Sequence, residues 1–375
     1  MKESVEIKEL VKISQYAGSD ILLVQGGGGN ASVKSRDKRK MWIKASGFRL
    51  SEVTDEKGYV VTDLRSLVSL MHSKKMNHKE FSGGLKLSVI GDSTLRPSME
   101  TGFHAVLPRV VLHTNPVYVN AFACMEDGEL AIMEVMNQEM VWVKYKPPGF
   151  ELSVEVDRVC RGYSELNGHL PPDIILRNHG FIACGDSADK VISSTGKFVD
   201  AGKRFFGELH SDALLCTGPP DKLVKWAGEM EKSLQEHFKQ ISYFARATKY
   251  STLLDAALDV EMLLESGPLV PDDVVYYSGK VLPAEISNSS EKWISTRPGP
   301  LPGRFIIAVE GYGVVFVGPS YKTIDTMEEN FLANILVRTL ISGRGSIRSL
   351  PPDEIETILN MDAEKYRQAL AAKDV

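Results

Sequence analysis

Apolar residues near helical spacing open the chain. Val5, Ile7, Leu10, Val11 and Ile13 predict a helix over residues 3–17, with Gly18 as its stop. The run ILLVQ then breaks into four glycines, and alternation resumes at Ala31 and Val33 and continues into KMWIKASG. This pattern predicts a glycine turn leading between strands. Ser66 to His72 reads as a helix, and the Gly- and Lys-rich stretch around 74–87 as a loop. In RPSMETGFHAVLP, Ser98 behind Pro97 is the candidate N-cap of a helix that Pro108 closes. RVVLHTNPVYVNAFAC reads as strand, residues 130–145 as a hairpin, and PDIILRNHGFIACG as two short strands joined at Asn178-His179-Gly180. Asp186 and Ser187 can cap a long helix over about 188–209, and a further helical stretch covers about 220–245.

Helices interleave with hairpins here and do not form regular β-α-β units, which predicts a mixed α/β (α+β) fold with helices packed on a largely antiparallel sheet. A weak internal repeat is also visible. ILRNHGFIACGDSADKVISSTGKF aligns with AVEGYGVVFVGPSYKTIDTMEENF, so that Gly180 meets Gly313, Gly185 meets Gly318 and Ser187 meets Ser320. His179 then falls opposite Tyr312, and the second copy is expected to lack any metal-binding group there.

A length of 375 residues exceeds what one ordinary core serves, so two lobes are expected. Hydrophobic and charged fractions of 43% and 25% are those of a globular protein, and a net charge of -5 gives no general field for nucleic acid or an anionic membrane. Any anion site must be local. Cys124, Cys160, Cys184 and Cys216 are far apart, a pattern of a reducing compartment and not of a disulfide framework. No apolar run approaches the roughly 18 residues of a membrane span, and the expected location is cytoplasmic.

Candidate chemistry lies in the middle third. On a helix Glu100 and His104 would share a face; on the following strand His113 and Asn115, two apart, would share another. His179 sits at a turn from which a side chain can project past a sheet end. Imidazoles and a carboxylate from separate elements are suitable parts for a divalent cation with an acid/base beside it, although a lone histidine on an apolar strand is more often simply packed. The loop QGGGGN and the turn Ala45-Ser46-Gly47 offer backbone N–H groups to an anion, and Ser98 adds a hydroxyl. The glycines match neither a Walker sequence nor a G-x-G-x-x-G fingerprint.

The order GGGGNASVK, KASG, RPSMETGFHAVLP, VVLHTNP, LRNHGFIACG resembles the class II aldolase/adducin family over about residues 5–210. The wording is most similar to long members, such as the aldolase half of bifunctional rhamnulose-phosphate aldolase/dehydrogenase proteins. ESGPLVPDDVVYYSGK and EGYGVVFVG are similar to the C-terminal extension of those long proteins. The resemblance implies a three-layer αβα fold with a central, mainly antiparallel sheet plus a C-terminal partial repeat. It divides the chain into an aldolase-like domain (1–215), a helical connector (216–265) and a degenerate aldolase-like lobe (266–375). By the same likeness Gly29, Asn30, Ser46, Gly47 and Ser98 would hold substrate phosphate, with Met99 where short aldolases often have a second serine. Glu100 would be the acid/base. His113 and His179 match two of three zinc-binding histidines, and Asn115 stands at the third.

What the resemblance implies is a metal-dependent lyase acting on a phosphorylated or acidic sugar through an enediolate, in a homo-oligomer. Zinc is the family's cofactor, but the amide oxygen of Asn115 suits manganese or magnesium better. Epimerisation or decarboxylation of a sugar acid on the same site, and a non-catalytic scaffold such as adducin's head domain, are the alternative readings. Retention of Glu100, His113 and His179 together speaks against the scaffold.

Overall fold

The structure, a computed structural model, describes residues 4–73, 76–136, 140–210, 212–239, 241–277, 279–297 and 301–361. Seven strands form the larger sheet: β1 (Asn30–Lys34), β2 (Lys40–Lys44), β3 (Tyr59–Asp63), β4 (Val110–Thr114), β5 (Val141–Val143), β6 (Asp173–Leu176) and β7 (Gly180–Gly185). Their order is β3-β2-β1-β4-β7-β6-β5, antiparallel except for the β5·β6 pair. The fold class expected from the sequence is therefore observed.

Strand alternation divides the side chains between two helical layers. Ala31, Val33, Val110, Leu112, Phe181 and Ala183 pack toward the helices Val5–Gly18 and Ala188–Phe206. Val111, Ile182 and Cys184 pack on the opposite side with Phe103 of the helix Thr101–Val106 and with Leu152 and Val156 of the helix Phe150–Asn167. His113 has the parity of Val111, which aims it at the helix that follows Glu100. Asp173 has the parity of Phe181's neighbour Ile175 and meets Ser194 of the helix Ala188–Phe206, whose hydroxyl donates at 2.6 Å.

Three stretches depart from the sequence reading. The stretch expected as a loop is, past residues 74–75, which lie outside the described residues, mostly the helix His78–Leu87. Asn77 and Glu80 cap it reciprocally, and burial of Phe81 and Leu85 offsets the helix-weakening Gly83 and Gly84. The expected hairpin at 130–145 is a helix, Gly128–Met136, followed by β5; residues 137–139 lie outside the described residues. The expected long strand stops at Thr114. Pro116 cannot continue a central ladder, and the helix Val117–Ala123 starts directly after it, buried on every side.

A second sheet contains β8 (Phe244–Ala247), β9 (Val281–Ala284), β10 (Phe305–Val309) and β11 (Gly313–Gly318), in the order β8-β11-β10-β9. Two of its pairings are antiparallel and the third, β9·β10, is parallel. This repeats β4-β7-β6-β5 strand for strand and direction for direction. The β6–β7 and β10–β11 turns each hold a left-handed residue at the same place, Asn178 (φ 50) and Gly311 (φ 71). The following helices, Ala188–Phe206 and Tyr321–Ile341, are each capped by a serine, Ser187 and Ser320. The C-terminal partial repeat is thus present in topology as well as in sequence. Its edge strand β8 lies within the stretch expected as a helical connector.

One apolar core runs through both sheets. Ile306, Ala308, Val314 and Phe316 join it from the second sheet, with Phe331 and Ile335 of the helix Tyr321–Ile341 packed against the helix Val117–Ala123. Among the described residues no helix is long and apolar enough to cross a membrane.

Burial raises the carboxyl of Asp173 to about 6, partly opposed by Ser194. A folded pKa above the unfolded value means that the native state binds the proton more tightly, so this group's contribution to stability falls as pH rises from about 4 to about 6. Asp173→Asn keeps a partner for Ser194 without the charge. Denaturant unfolding from pH 4 to 7 should show the wild type losing on the order of 2 kcal/mol relative to the variant across that window.

Candidate active site

Glu100, His113 and His179 come from three elements and meet at one point. Glu100 is the N-cap of the helix Thr101–Val106, His113 lies on β4, and His179 ends the β6–β7 turn. Glu100 Oε1 lies 3.0 Å from His179 Nε2 and 3.4 Å from His113 Nε2. One ligand atom from each of the three lies within 4.8 Å of the others, a group that could hold a metal ion.

The surroundings prepare the imidazoles for that use. His113 Nδ1 donates to the carbonyl of Phe181 at 3.0 Å, leaving the Nε2 lone pair aimed at Glu100. Burial lowers the His113 pKa, against the pull of Glu100, and so favours the neutral ring that a cation requires. The two rings stand edge to face, with centroids 5.1 Å apart. His179 Nδ1 is buried and has no hydrogen-bond partner among the described residues. The donor set, two imidazole nitrogens and a carboxylate, fits a divalent transition-metal ion.

His104 does not join them. Its Nδ1 pairs with Ser32 Oγ at 2.8 Å, and burial pushes its pKa well below the ordinary imidazole range. It lies one helical turn from Glu100, its backbone N–H meeting the Glu100 carbonyl at 3.4 Å, but it is fully buried and outside the group of three. Nor is Ser98 the N-cap; its Oγ accepts from Glu100 N at 3.2 Å.

The group opens into a cavity that all five expected anion-binding residues line: Gly29, Asn30, Ser46, Gly47 and Ser98. Ser46 N is spent on the carbonyl of Arg96 at 2.8 Å, leaving its hydroxyl as the useful donor. Lys44, Lys86 and Arg96 line the same cavity. Sequence reasoning missed these cations. Lys44 shares a face with exposed Lys40 and half-buried Trp42 yet is itself buried, and its Nζ donates to Gly27 and Phe48 carbonyls at 3.2 and 2.6 Å.

Asn115, which the sequence offers as the third ligand, is held by a hydrogen bond of its own. It is 4% exposed, and its Nδ2 donates to Asp272 Oδ2 at 3.2 Å. It is Asp272, from the helix Pro271–Tyr277, that lines the cavity. Nothing in residues 268–277 marks that role in sequence, since the paired aspartates read as an ordinary helix start.

The glycine loop has a second reason for its composition. A Cβ at Gly26 would come within 2.4 Å of Thr326, at Gly27 within 2.9 Å of the Tyr276 hydroxyl, and at Gly28 within 2.5 Å of Asp272 Oδ2. Gly26 N also donates to Glu329 Oε2 at 2.7 Å. Three of the four glycines are therefore demanded by the C-terminal half of the chain; Gly29 alone faces β4, against the His113 carbonyl.

Comparison with known proteins bears on the N-terminal half. A curated relative from Bacillus subtilis (strain 168), "Uncharacterized oxidoreductase YuxG", is 28% identical over 212 residues, which are 54% of this chain and 30% of that protein. The chain thus spans under a third of that relative's length. The N-terminal class II aldolase domain of a conserved Thermoplasma acidophilum protein is 27% identical, with a TM-score of 0.47, covering 55% of this chain and 95% of its own. A sugar-phosphate aldolase from Thermotoga maritima is 14% identical, with a TM-score of 0.39, covering 53% and 92%. None of these matches establishes the bifunctional subtype. Residues 8–199, more than half of the sequence and the part that carries Glu100, His113 and His179, match the Class II Aldolase and Adducin N-terminal domain, and the chain belongs to the class II aldolase and adducin family.

Proposed function

We propose that the protein is a metal-dependent lyase that cleaves or forms a carbon–carbon bond in a phosphorylated or acidic sugar. The observation that carries this reading is the meeting of Glu100, His113 and His179 at the wall of a cavity whose other lining includes Lys44, Lys86 and Arg96. His113 and His179 would hold a divalent ion. When bound, such an ion supplies positive charge to a ketose carbonyl oxygen and to the enediolate that follows from it.

The chain's own residues account for the rest. Ser46, Ser98 and the cations at one part of the cavity fix the phosphate or carboxylate of the substrate and so set its register. In the cleavage direction the hydroxyl on the departing carbon loses its proton to solvent, the carbon–carbon bonding pair passes through the new enediolate double bond to the carbonyl oxygen and frees an aldehyde, and Glu100, as the acid, delivers a proton to the enediolate carbon. In synthesis Glu100 removes it. A scaffold would have no need of a carboxylate within 3.4 Å of two buried imidazoles.

Two outcomes are expected. Glu100→Gln, compared with wild type at equal metal occupancy measured by mass spectrometry, should lower the rate of aldehyde release from a panel of ketose 1-phosphates by about 10²–10⁴-fold. An unaltered rate would remove Glu100 from the chemistry. Inorganic phosphate should bind with an affinity that falls by about tenfold or more in Arg96→Ala, as loss of a charge-assisted hydrogen bond requires. Calorimetry with equal affinities for wild type and variant would place the anion elsewhere.

A further inference from the structure

The two adjacent aspartates of the helix Pro271–Tyr277 have different duties. Asp273 is structural. Its Oδ2 accepts from the backbone N–H groups of Leu269 and Val270 at 2.8 and 3.2 Å and from Asn334 Nδ2 at 2.8 Å, closing the start of the helix. Asp272 turns the other way, into the cavity shared with Glu100, His113 and His179, and is 7% exposed. The missing Cβ at Gly28 gives its carboxylate room, and Asn115 Nδ2 holds it from behind.

Asn115 also marks how near this pair lies to the cation group. A Cβ placed on Gly180 would lie 2.5 Å from Asn115 Oδ1 and 2.8 Å from His113 Cε1, so amide and imidazole converge on one spot beside the turn that carries His179. Asn115 Oδ1 is buried and has no hydrogen-bond partner among the described residues. Donation from the amide N–H₂ to a carboxylate increases the negative charge on the amide oxygen, much as a carboxylate behind a ligating histidine does for its ring.

We propose that the cation site is completed from the C-terminal half of the chain: Asp272, held by Asn115, is its second carboxylate, and together the pair takes over the place of a third imidazole. Asp272 stands outside the tight group of Glu100, His113 and His179 and acts on the bound ion through its charge and through the amide it polarises. Asn115 is a positioning residue. Two imidazoles and a carboxylate, under the charge of a second carboxylate, make a harder site than three imidazoles, and the site selects Mn²⁺ over Zn²⁺ more strongly than a three-histidine site would. This rests on the cation reading given above.

Mn²⁺ and Zn²⁺, each added alone to chelator-treated full-length protein, provide the test, with affinity read by calorimetry and by the electron paramagnetic resonance signal of free Mn²⁺. Asp272→Asn keeps the shape and can still accept from Asn115, so only the charge is lost. The expected result is an Mn²⁺ affinity lowered by about tenfold or more, with a smaller loss for Zn²⁺. Asn115→Ala should weaken Mn²⁺ comparably, and the double variant should be little worse than either single one, because the two act as a unit. Asn115→His should shift preference toward Zn²⁺. If His113→Ala abolishes binding while Asp272→Asn and Asn115→Ala each stay within twofold of wild type, the C-terminal contribution is refuted and the cation reading survives. If His113→Ala leaves Mn²⁺ affinity unchanged, the cation reading itself falls. Should Asp272→Asn fail to fold, Asn115→Ala decides the question alone, since it leaves Asp272 present but unheld.

Discussion

Close approach between the glycine loop and the C-terminal helices is the constraint from which the rest of the site follows. A backbone with no side chains at residues 26–28 lets Thr326, Tyr276 and Asp272 press directly on it, and Glu329 binds both Gly26 N and the Arg49 guanidinium, the latter at 2.9 Å. Arg49 stands just before the short helical turn Leu50–Glu52, and Leu50 in turn packs on Gly29. The loop that leads into β1 is thereby fixed from both sides. β1 pairs with β4 so that Asn30 lies opposite His113, and the position of one cavity wall is passed to the strand that carries a candidate ligand. An alanine anywhere in residues 26–28 would have to move backbone or a buried side chain to be accommodated.

Much of this architecture was legible because period and punctuation agree. The helix at the N-terminus, the β6–β7 turn at Asn178-His179-Gly180, and the long helix after Ser187 each combine a clear pattern with a cap or a left-handed turn residue. The misread stretches are those in which local signals compete with packing. HKEFSGGLKL has two glycines that argue against a helix, yet Phe81 and Leu85 find a core to fill. VYVNAFA has the β-branched and aromatic content of a strand, but Pro116 ends the ladder, and the segment is buried on all sides as a helix, where no amphipathic period can appear. In the site, the histidines and Glu100 were visible through their place in a recognisable order of motifs. Asp272, Lys86 and Arg96 were not, because each acquires meaning only from a contact across long stretches of chain.

The repeat explains what a site needs beyond a fold. In the register of the two sheets, Ala247 stands opposite Val315 as His113 stands opposite Ile182. Tyr312 follows the left-handed residue as His179 does. A Cβ on Gly313 would meet Leu254 and Leu223, where on Gly180 it would meet Asn115 and His113. The same backbone frame has thus been filled with apolar side chains in one copy and polar ones in the other. The second copy contributes through its helices, which face the first copy's site.

Asn178 has a consequence for the order in which the molecule assembles. Its left-handed conformation is held by its side-chain amide, which donates to the carbonyls of Leu269 and Arg348 at 3.0 and 2.7 Å. Those carbonyls lie 91 and 170 residues further along the chain. During synthesis the larger sheet can form well before they emerge, since folding proceeds from the N-terminal end. The turn that presents His179 is tied to Ala123 by the Asn178 backbone N–H at 3.0 Å from the start, but its side-chain anchors arrive only when the last part of the chain docks, so the geometry around that imidazole is completed late.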